Sequence, residues 1–408
     1  MTTADVNSQD MSPPPEVQLS PANWLKKNLF STWYNILITV VLCLIFLKFA
    51  SDFVIWATTQ ARWEVLIANY RLFFVGTYPR KPDQIWRIWI ILGMIAALSG
   101  ISWGVIARGA ARLFSRNVLI GIGIACAAFA ISPATTISKI ILFAFVALLL
   151  ASAWGGQKLG KAFPQVGLGL SFAWFISYCI FIWLMGGGLG LRSVSTNNWE
   201  GMLLTVFMAI TGIVLCFPFG VMLALGRQSS LPVVRWLSTA YIELVRGVPL
   251  ITILFFGQVL LPLFLPPGVR PDRVLRAIVG LTMFSVAYLA ENVRGGLQAL
   301  PRGQTEAARA LGLNTPLTLI FIILPQALKS VIPAIIGQFI SLFQDTTLLA
   351  IVGLSELLGI SNSILANPKF IGTYKEAYLF IGVIYWLFCF AMSVASKRLE
   401  ATLNVDQR

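Results

Sequence analysis

Apolar runs of about 20 residues recur along this chain, and that recurrence fixes most of what it can become. They fall near 33–53, 85–106, 118–132, 137–154, 167–187, 200–226, 238–264, 274–292, 331–354 and 376–396. At 1.5 Å per residue, about 20 residues of helix cross the roughly 30 Å hydrocarbon core of a bilayer. Inside hydrocarbon every backbone N–H and C=O has to be satisfied by the protein itself, so such runs are helices. The expected fold is an all-α polytopic membrane protein with about ten transmembrane helices. Only 11% of the 408 residues are charged and 57% are hydrophobic, whereas soluble domains carry about 25% charge. A soluble enzyme, a disordered tail protein and a secreted disulfide scaffold are thereby excluded.

The charge is lopsided, with 30 Lys and Arg against 16 Asp and Glu, a net +14. In a soluble chain this would suggest nucleic acid. In a membrane chain it is the excess of Lys and Arg on cytoplasmic loops, so no nucleic-acid partner is expected. Lys26, Lys27, Arg116, Lys158, Lys161, Arg302 and Lys397 fit a cytoplasmic N-terminus and C-terminus. His is absent, which removes His-based metal sites, general bases and proton relays. Cys43, Cys126, Cys179, Cys216 and Cys389 sit singly in apolar runs without a CxxC pair and read as small hydrophobes. Neither a metal nor a cofactor is expected.

Residues 1–25 are polar and hold Ser12-Pro13-Pro14-Pro15, the composition of a disordered cytoplasmic tail. The first apolar run follows Lys26 and Lys27 as a signal peptide would. It is too long for that, and Phe49-Ala50-Ser51-Asp52 offers no small-x-small cleavage site, so it is expected to be a retained span. The stretch 54–84 is the longest external connection. Its Trp56, Trp63, Tyr70, Phe73, Phe74 and Tyr78 suit the headgroup level. Gly186–Gly190 and Arg192–Asn198 look like a linker between an N-terminal five-span extension, 26–190, and a second half, 199–400.

Two motifs carry little. Gly155–Ala162 nearly spells the phosphate-binding pattern GxxxxGK[ST], but Ala162 has no hydroxyl for Mg²⁺ and no strand precedes it. It is expected to be a flexible basic inside loop. Gly100-x-x-x-Gly104 is generic helix packing.

The loop 300–327 is different. Gln304–Leu311 is rich in helix formers. Gly312 permits a left-handed turn. Thr315 and Pro316 suit the start of a second short helix, which Pro325 is expected to break. Glu306 and Arg309 fall three apart on one face. The result is a rigid helix-turn-helix knob, shaped for docking a protein.

The same loop reads Glu306-Ala307-Ala308, three residues, Gly312, nine residues, Ile322, one residue, Leu324-Pro325. In this spacing it resembles the EAA loop of permease subunits of ATP-binding-cassette importers that use an external binding protein. The resemblance implies that Glu306, Ala307, Ala308, Arg309, Gly312, Ile322, Leu324 and Pro325 couple the chain to an ATPase subunit. Glu243–Leu250, Tyr288–Gly296 and Gln344–Leu348 are similar to segments of the polar amino-acid permeases. The resemblance covers about 199–400, a five-helix type I importer core, and the five preceding spans resemble the long permeases of broad-range importers. Its implied partners are two copies of an ATPase, a second related permease, an external amino-acid-binding protein, membrane lipid and a polar L-amino acid. The chain itself is then a transport subunit of a prokaryotic inner membrane and not an enzyme, because ATP is hydrolysed by a partner.

Glu243, Arg246, Asp345 and Glu356 fall in or near core spans, where an unpaired charge costs at least about 2.5 kcal/mol. They are expected to be gate or pathway residues, with a Glu243–Arg246 pair at i, i+3 as the plainer reading. The alternative function, an ion-gradient-driven secondary transporter, calls for inverted repeats with broken helices. The two halves share no evident motif.

Overall fold

The computed structural model describes residues 20–78, 82–107, 113–163, 165–266, 268–269 and 271–405. They form two compact units, one ending at Arg62 and one beginning at Trp63. The expected disordered tail lies outside the described residues as far as position 19. Beyond it, α1 (Pro21–Asn28) is helical, because Ser20 accepts from the Asn23 amide as an N-cap and Pro21 opens the first turn. The first span is α2 (Trp33–Ile55), and a π-helical turn, Trp56–Gln60, extends it.

The second unit begins with α3 (Glu64–Val75), α4 (Pro82–Ile106), α5 (Arg116–Ile131), α6 (Thr136–Ala162) and α7 (Val166–Gly186). It continues with α8 (Gly201–Arg227), α9 (Pro232–Arg246), α10 (Leu250–Phe255), α11 (Leu261–Phe264) and α12 (Arg273–Ala299). Then come α13 (Arg302–Ala310), α14 (Thr315–Thr318), α15 (Leu324–Asp345), α16 (Leu357–Leu365) and α17 (Tyr374–Val405).

Eight helices among the described residues are long and apolar enough to span a bilayer, and nine if a bent pair counts as one. The bent pair replaces the single span expected at 238–264. Pro232–Arg246 and Leu250–Phe264 meet at 102°, because Pro249 brings no N–H and disfavours helix in the residue before it. The run expected to cross at 118–132 forms α5, whose apolar part, Val118–Ile131, is too short by length alone. Its neighbours require it to cross nonetheless. α4 and α6 run parallel, Gly93 facing Phe145 and Gly104 facing Ala153 and Gln157. The chain between them therefore returns through the same thickness, and α5 is the described helix on that path.

Lipid tails are as apolar as Leu, so burial does not drive these helices together; close packing and polar contacts do. The α4–α6 contact shows how. A Cβ on Gly104 would collide with the Ala153 carbonyl, and one on Gly156 with the Ile101 backbone. Gly155–Ala162 is thus the last two turns of α6 and not the flexible loop expected from its composition. Helix geometry leaves no phosphate cradle there.

α8 and α12 form the centre of the second half, with α15 against α12 and α17 against α15. Leu204, Met208, Leu281, Leu289 and Leu342 are fully buried between them. The external stretch is also built in. α3 packs on α8, α16 and α17; Phe73 is buried against Phe380, with ring centroids 5.0 Å apart, and Glu64 pairs with Lys369 at 2.7 Å. Phe73 and Tyr78 are core residues, not headgroup anchors. The Gly-rich turn after α7 is likewise fixed: Val194 N–H bonds the Gly186 carbonyl at 2.8 Å, and buried Arg87 donates to the carbonyls of Leu184 and Arg192 at 3.2 and 3.0 Å.

Two substitutions separate packing from helix propensity. Gly156→Leu should overpack the α4–α6 contact and cost about 1–3 kcal/mol, seen as a lower unfolding midpoint in detergent. Gly155→Leu, with nothing within 4 Å of its Cβ, should raise the midpoint slightly, because it removes a glycine from a helix interior without a clash.

Candidate functional site: a helical knob and a charged elbow

The loop after α12 folds into the expected knob. α13 ends in a Schellman turn: Leu313 N–H bonds the Ala308 carbonyl at 3.1 Å and Gly312 N–H the Arg309 carbonyl at 2.9 Å. Gly312 has φ +80°, a conformation a β-carbon disfavours. The cap of α14 is Asn314, whose Oδ1 accepts from the Leu317 amide at 3.0 Å, and not Thr315. Asx side chains reach this amide more readily than a β-branched residue already inside the first turn.

Pro325 does not break the helix. A π-helical turn, Leu319–Ile323, precedes it, and Leu324 N–H bonds the Leu319 carbonyl. The wider turn makes room for the proline ring, and the chain runs on as one span to Ala350.

Each fixed position of the motif now has a physical reason or a place. Ala308 is buried and Glu306, Ala307, Arg309 and Gly312 are exposed. Ile322 and Leu324 are half-buried along the π turn, and Pro325 is exposed. Gln326 Nε2 donates to Gln304 Oε1 at 3.3 Å and to the Ile322 carbonyl at 2.9 Å, tying α13 to α15. Leu311, 82% exposed, and Phe321, 66% exposed, project from the knob.

Close behind the knob, α8, α9 and α12 meet through charge. Arg227 Nη2 pairs with Glu243 Oε1 at 2.7 Å, and its Nη1 with Glu291 Oε2 at 3.2 Å. Arg246 Nη1 approaches Glu291 at 3.7 Å and its guanidinium lies over the Tyr288 ring, 5.5 Å from the centroid. Arg294 holds the same carboxylate, its Nε 3.0 Å from both oxygens. Glu243 and Arg246 therefore do not form the pair expected from their spacing; each reaches a different helix. Arg246 is the last residue of α9 before the 102° bend, so the cluster braces an elbow. Arg227, Glu291 and Arg294 were missed as site residues. The i, i+3 spacing of Glu291 and Arg294 was a signal in the sequence, but only the packing of three helices joins them to Arg227, Glu243 and Arg246.

Asp345 and Glu356 stand at the other end of α15 and do not join this cluster. Asp345 is half-buried with no hydrogen-bond or ion-pair partner among the described residues. Glu356 is fully buried and caps α16: its oxygens accept from the amides of Leu358 and Gly359, both at 2.9 Å, and from the Tyr385 hydroxyl at 3.1 Å. Thr205 Oγ1 lies 3.5 Å from the same carboxylate and accepts from the Leu357 amide at 3.0 Å. Burial pushes the carboxyl up to about 7, against the opposing pull of these donors.

That shift has a definite sign. A carboxyl that binds its proton more tightly when folded contributes stability below its ordinary value of 4.5, and the contribution is lost as pH rises through 7. The unfolding midpoint in detergent should therefore fall between pH 5 and about 7.5, and Glu356→Gln should flatten that slope.

The chain matches the family of binding-protein-dependent transport system inner membrane components over residues 216–405. It is 36% identical over 401 residues to the inner membrane amino-acid ABC transporter permease protein YhdY of Escherichia coli (strain K12), covering 94% of this chain and 93% of that protein. It is 36% identical over 433 residues to the glutamate/glutamine/aspartate/asparagine transport system permease protein BztC of Rhodobacter capsulatus, covering 97% and 96%. A probable glutamine ABC transporter permease protein, GlnP of Bacillus subtilis, is 36% identical over 202 residues, 50% of this chain and 91% of that one.

Proposed function

Because the chain belongs to the amino-acid ABC transporter permeases, we propose that it is the membrane subunit of an ATP-driven importer of polar L-amino acids, working by alternating access. The observation that carries this reading is the knob of α13 and α14. It is tied to α15 through Gln304 and Gln326, it exposes Glu306, Arg309 and Leu311, with Phe321 exposed on the π turn that follows, and it sits between the two long helices α12 and α15. Large apolar side chains on a polar knob are anchors for a protein partner. The partner is an ATPase subunit, present in two copies. A second related permease completes the pathway, and an external binding protein delivers the substrate. The knob then lies in the cytoplasm, and with α5 counted as a crossing both termini lie there too.

The motion follows from the connections. Closure of the ATPase pair displaces the knob, and α12 and α15 move with it. Glu291 and Arg294 lie in the last turns of α12, so the displacement reaches the elbow first. Regrouping of Arg227, Glu243, Arg246, Glu291 and Arg294 gives the bundle two arrangements of similar energy, the requirement for a switch. At the far end, Asp345 serves the pathway as an unpaired acid for a substrate ammonium, and Glu356 holds α8, α16 and α17 together.

The test separates docking from folding. Gly312→Val strains the turn without a steric clash, since nothing lies within 4 Å of a Cβ there. The chain should insert and purify normally, while ATP-dependent uptake in proteoliposomes falls about tenfold or more and ATP hydrolysis by the complex persists. A cysteine introduced as Glu306→Cys should cross-link to the ATPase. Normal uptake by Gly312→Val, together with no cross-link, would overturn the reading.

A further inference from the structure

The chain has no histidine, so a response to pH near neutrality falls to a displaced group. Glu356 is such a group, and its enclosed surroundings accept it in either protonation state. Ionised, it accepts from the amides of Leu358 and Gly359 and from the Tyr385 hydroxyl, which spends the single hydrogen of Tyr385. Protonated, it has to donate, and the Tyr385 oxygen lies 3.1 Å away. Thr205, at 3.5 Å, is engaged already: it accepts from the Leu357 amide and donates to the Gly201 carbonyl at 3.2 Å.

The difference reaches the 3₁₀ turn Thr346–Ala350. When Tyr385 accepts from Glu356, its hydrogen is released to Thr346 Oγ1 at 3.2 Å, and Thr346 donates in turn to the Phe343 carbonyl at 2.7 Å. Every donor in that chain has an acceptor. When Glu356 is ionised, Tyr385 gives its hydrogen to the carboxylate. Thr346 then has one hydrogen for two acceptors, Tyr385 and Phe343, so one tie at the start of the turn is lost. The Tyr385 ring is held against Phe343, with centroids 5.1 Å apart, so hydrogens move while the ring stays. Asp345 is the residue immediately before this turn.

Neighbouring charge does not compete. Tyr385 of α17 is the titratable group that bonds Glu356. The charged residues on the elements packed against α16 include Glu64 of α3, Glu200 at the start of α8, Lys369, and Lys375 and Glu376 of α17. The titration of Glu356 answers to burial and hydrogen bonds, with no contribution from those charges.

We propose that Tyr385 is a positioning residue, which passes the protonation state of Glu356 to the turn behind Asp345 and makes substrate capture favour the acid side. The link to capture rests on the importer reading, in which Asp345 takes the substrate ammonium; the link from Glu356 to Tyr385 does not. Asp345 has to be ionised to hold an ammonium, so its own titration favours the alkaline side, and the two responses have opposite signs.

Two measurements on the full chain provide the test. Infrared difference spectra between about pH 5.5 and 8.5 should show a carboxyl C=O band, absent from Glu356→Gln, changing at one midpoint together with a tyrosine C–O band, absent from Tyr385→Phe. In Glu356→Gln the tyrosine band should stand still. A tyrosine band that ignores pH in the wild type, or still titrates in Glu356→Gln, would overturn the proposal. The second measurement is ATP-dependent uptake in proteoliposomes with saturating loaded binding protein. The wild-type rate should fall about fivefold from pH 6 to pH 8. Glu356→Gln, whose amide donates to Tyr385 as the acid does, should stay fast at both. Tyr385→Phe and Thr346→Val should be slow at both. Variants that keep the wild-type profile would overturn the link to capture. Absence of ATP-dependent uptake by the wild type at every pH would be a failure of the importer reading instead, and the infrared titration would still decide the role of Tyr385.

Discussion

Hydrocarbon gives a polypeptide nothing to hydrogen-bond and no apolar gain from helix-to-helix contact, and the architecture follows from those two deficits. The first confines the spans to helices. The second leaves shape and polar contacts to hold the helices together. Close backbone approach at Gly104 and Gly156 joins α4 to α6. Elsewhere polar groups act as fasteners: Tyr178 to Thr211 at 2.6 Å joins α7 to α8, and Tyr241 to the Met283 carbonyl at 2.8 Å joins α9 to α12.

Charge is arranged by the same logic. At the knob end, five ionised groups of three helices satisfy one another at 2.7–3.7 Å where distances are ordinary, with their side chains 22–56% exposed. Water still reaches them, so exchanging one partner for another has a modest cost. At the opposite end Glu356 is wholly enclosed and bound by two backbone amides. Such a group resists rearrangement. The molecule thus has a deformable polar joint next to the knob and a fixed one far from it.

How much of this was legible in the sequence depended on the range of the interactions involved. The helices and the knob were readable, because hydropathy, helix propensity and the Gly312 turn are local. Ala308 could be named, but its burial could not. Pro325 misled, since a proline reads as a break unless a widened turn precedes it, and no residue announces a π turn. The Glu243–Arg246 pairing failed because spacing on one helix ignores the carboxylate of Glu291 on another. Phe73 and Tyr78 looked like headgroup aromatics, and only long-range packing against Phe380 and the end of α7 made them core.

The short helix α5 has a consequence for the membrane around it. Its 16 residues span about 24 Å, several ångströms less than an average hydrocarbon core, while α6 beside it has 27. A span this short is accommodated by thinner lipid beside it, by flanking side chains that reach to the interface, or by neighbouring helices. Each of these accommodations costs more as the surrounding membrane thickens. A span usually judged by whether it is long enough becomes, in this protein, a gauge of how thick its host membrane is.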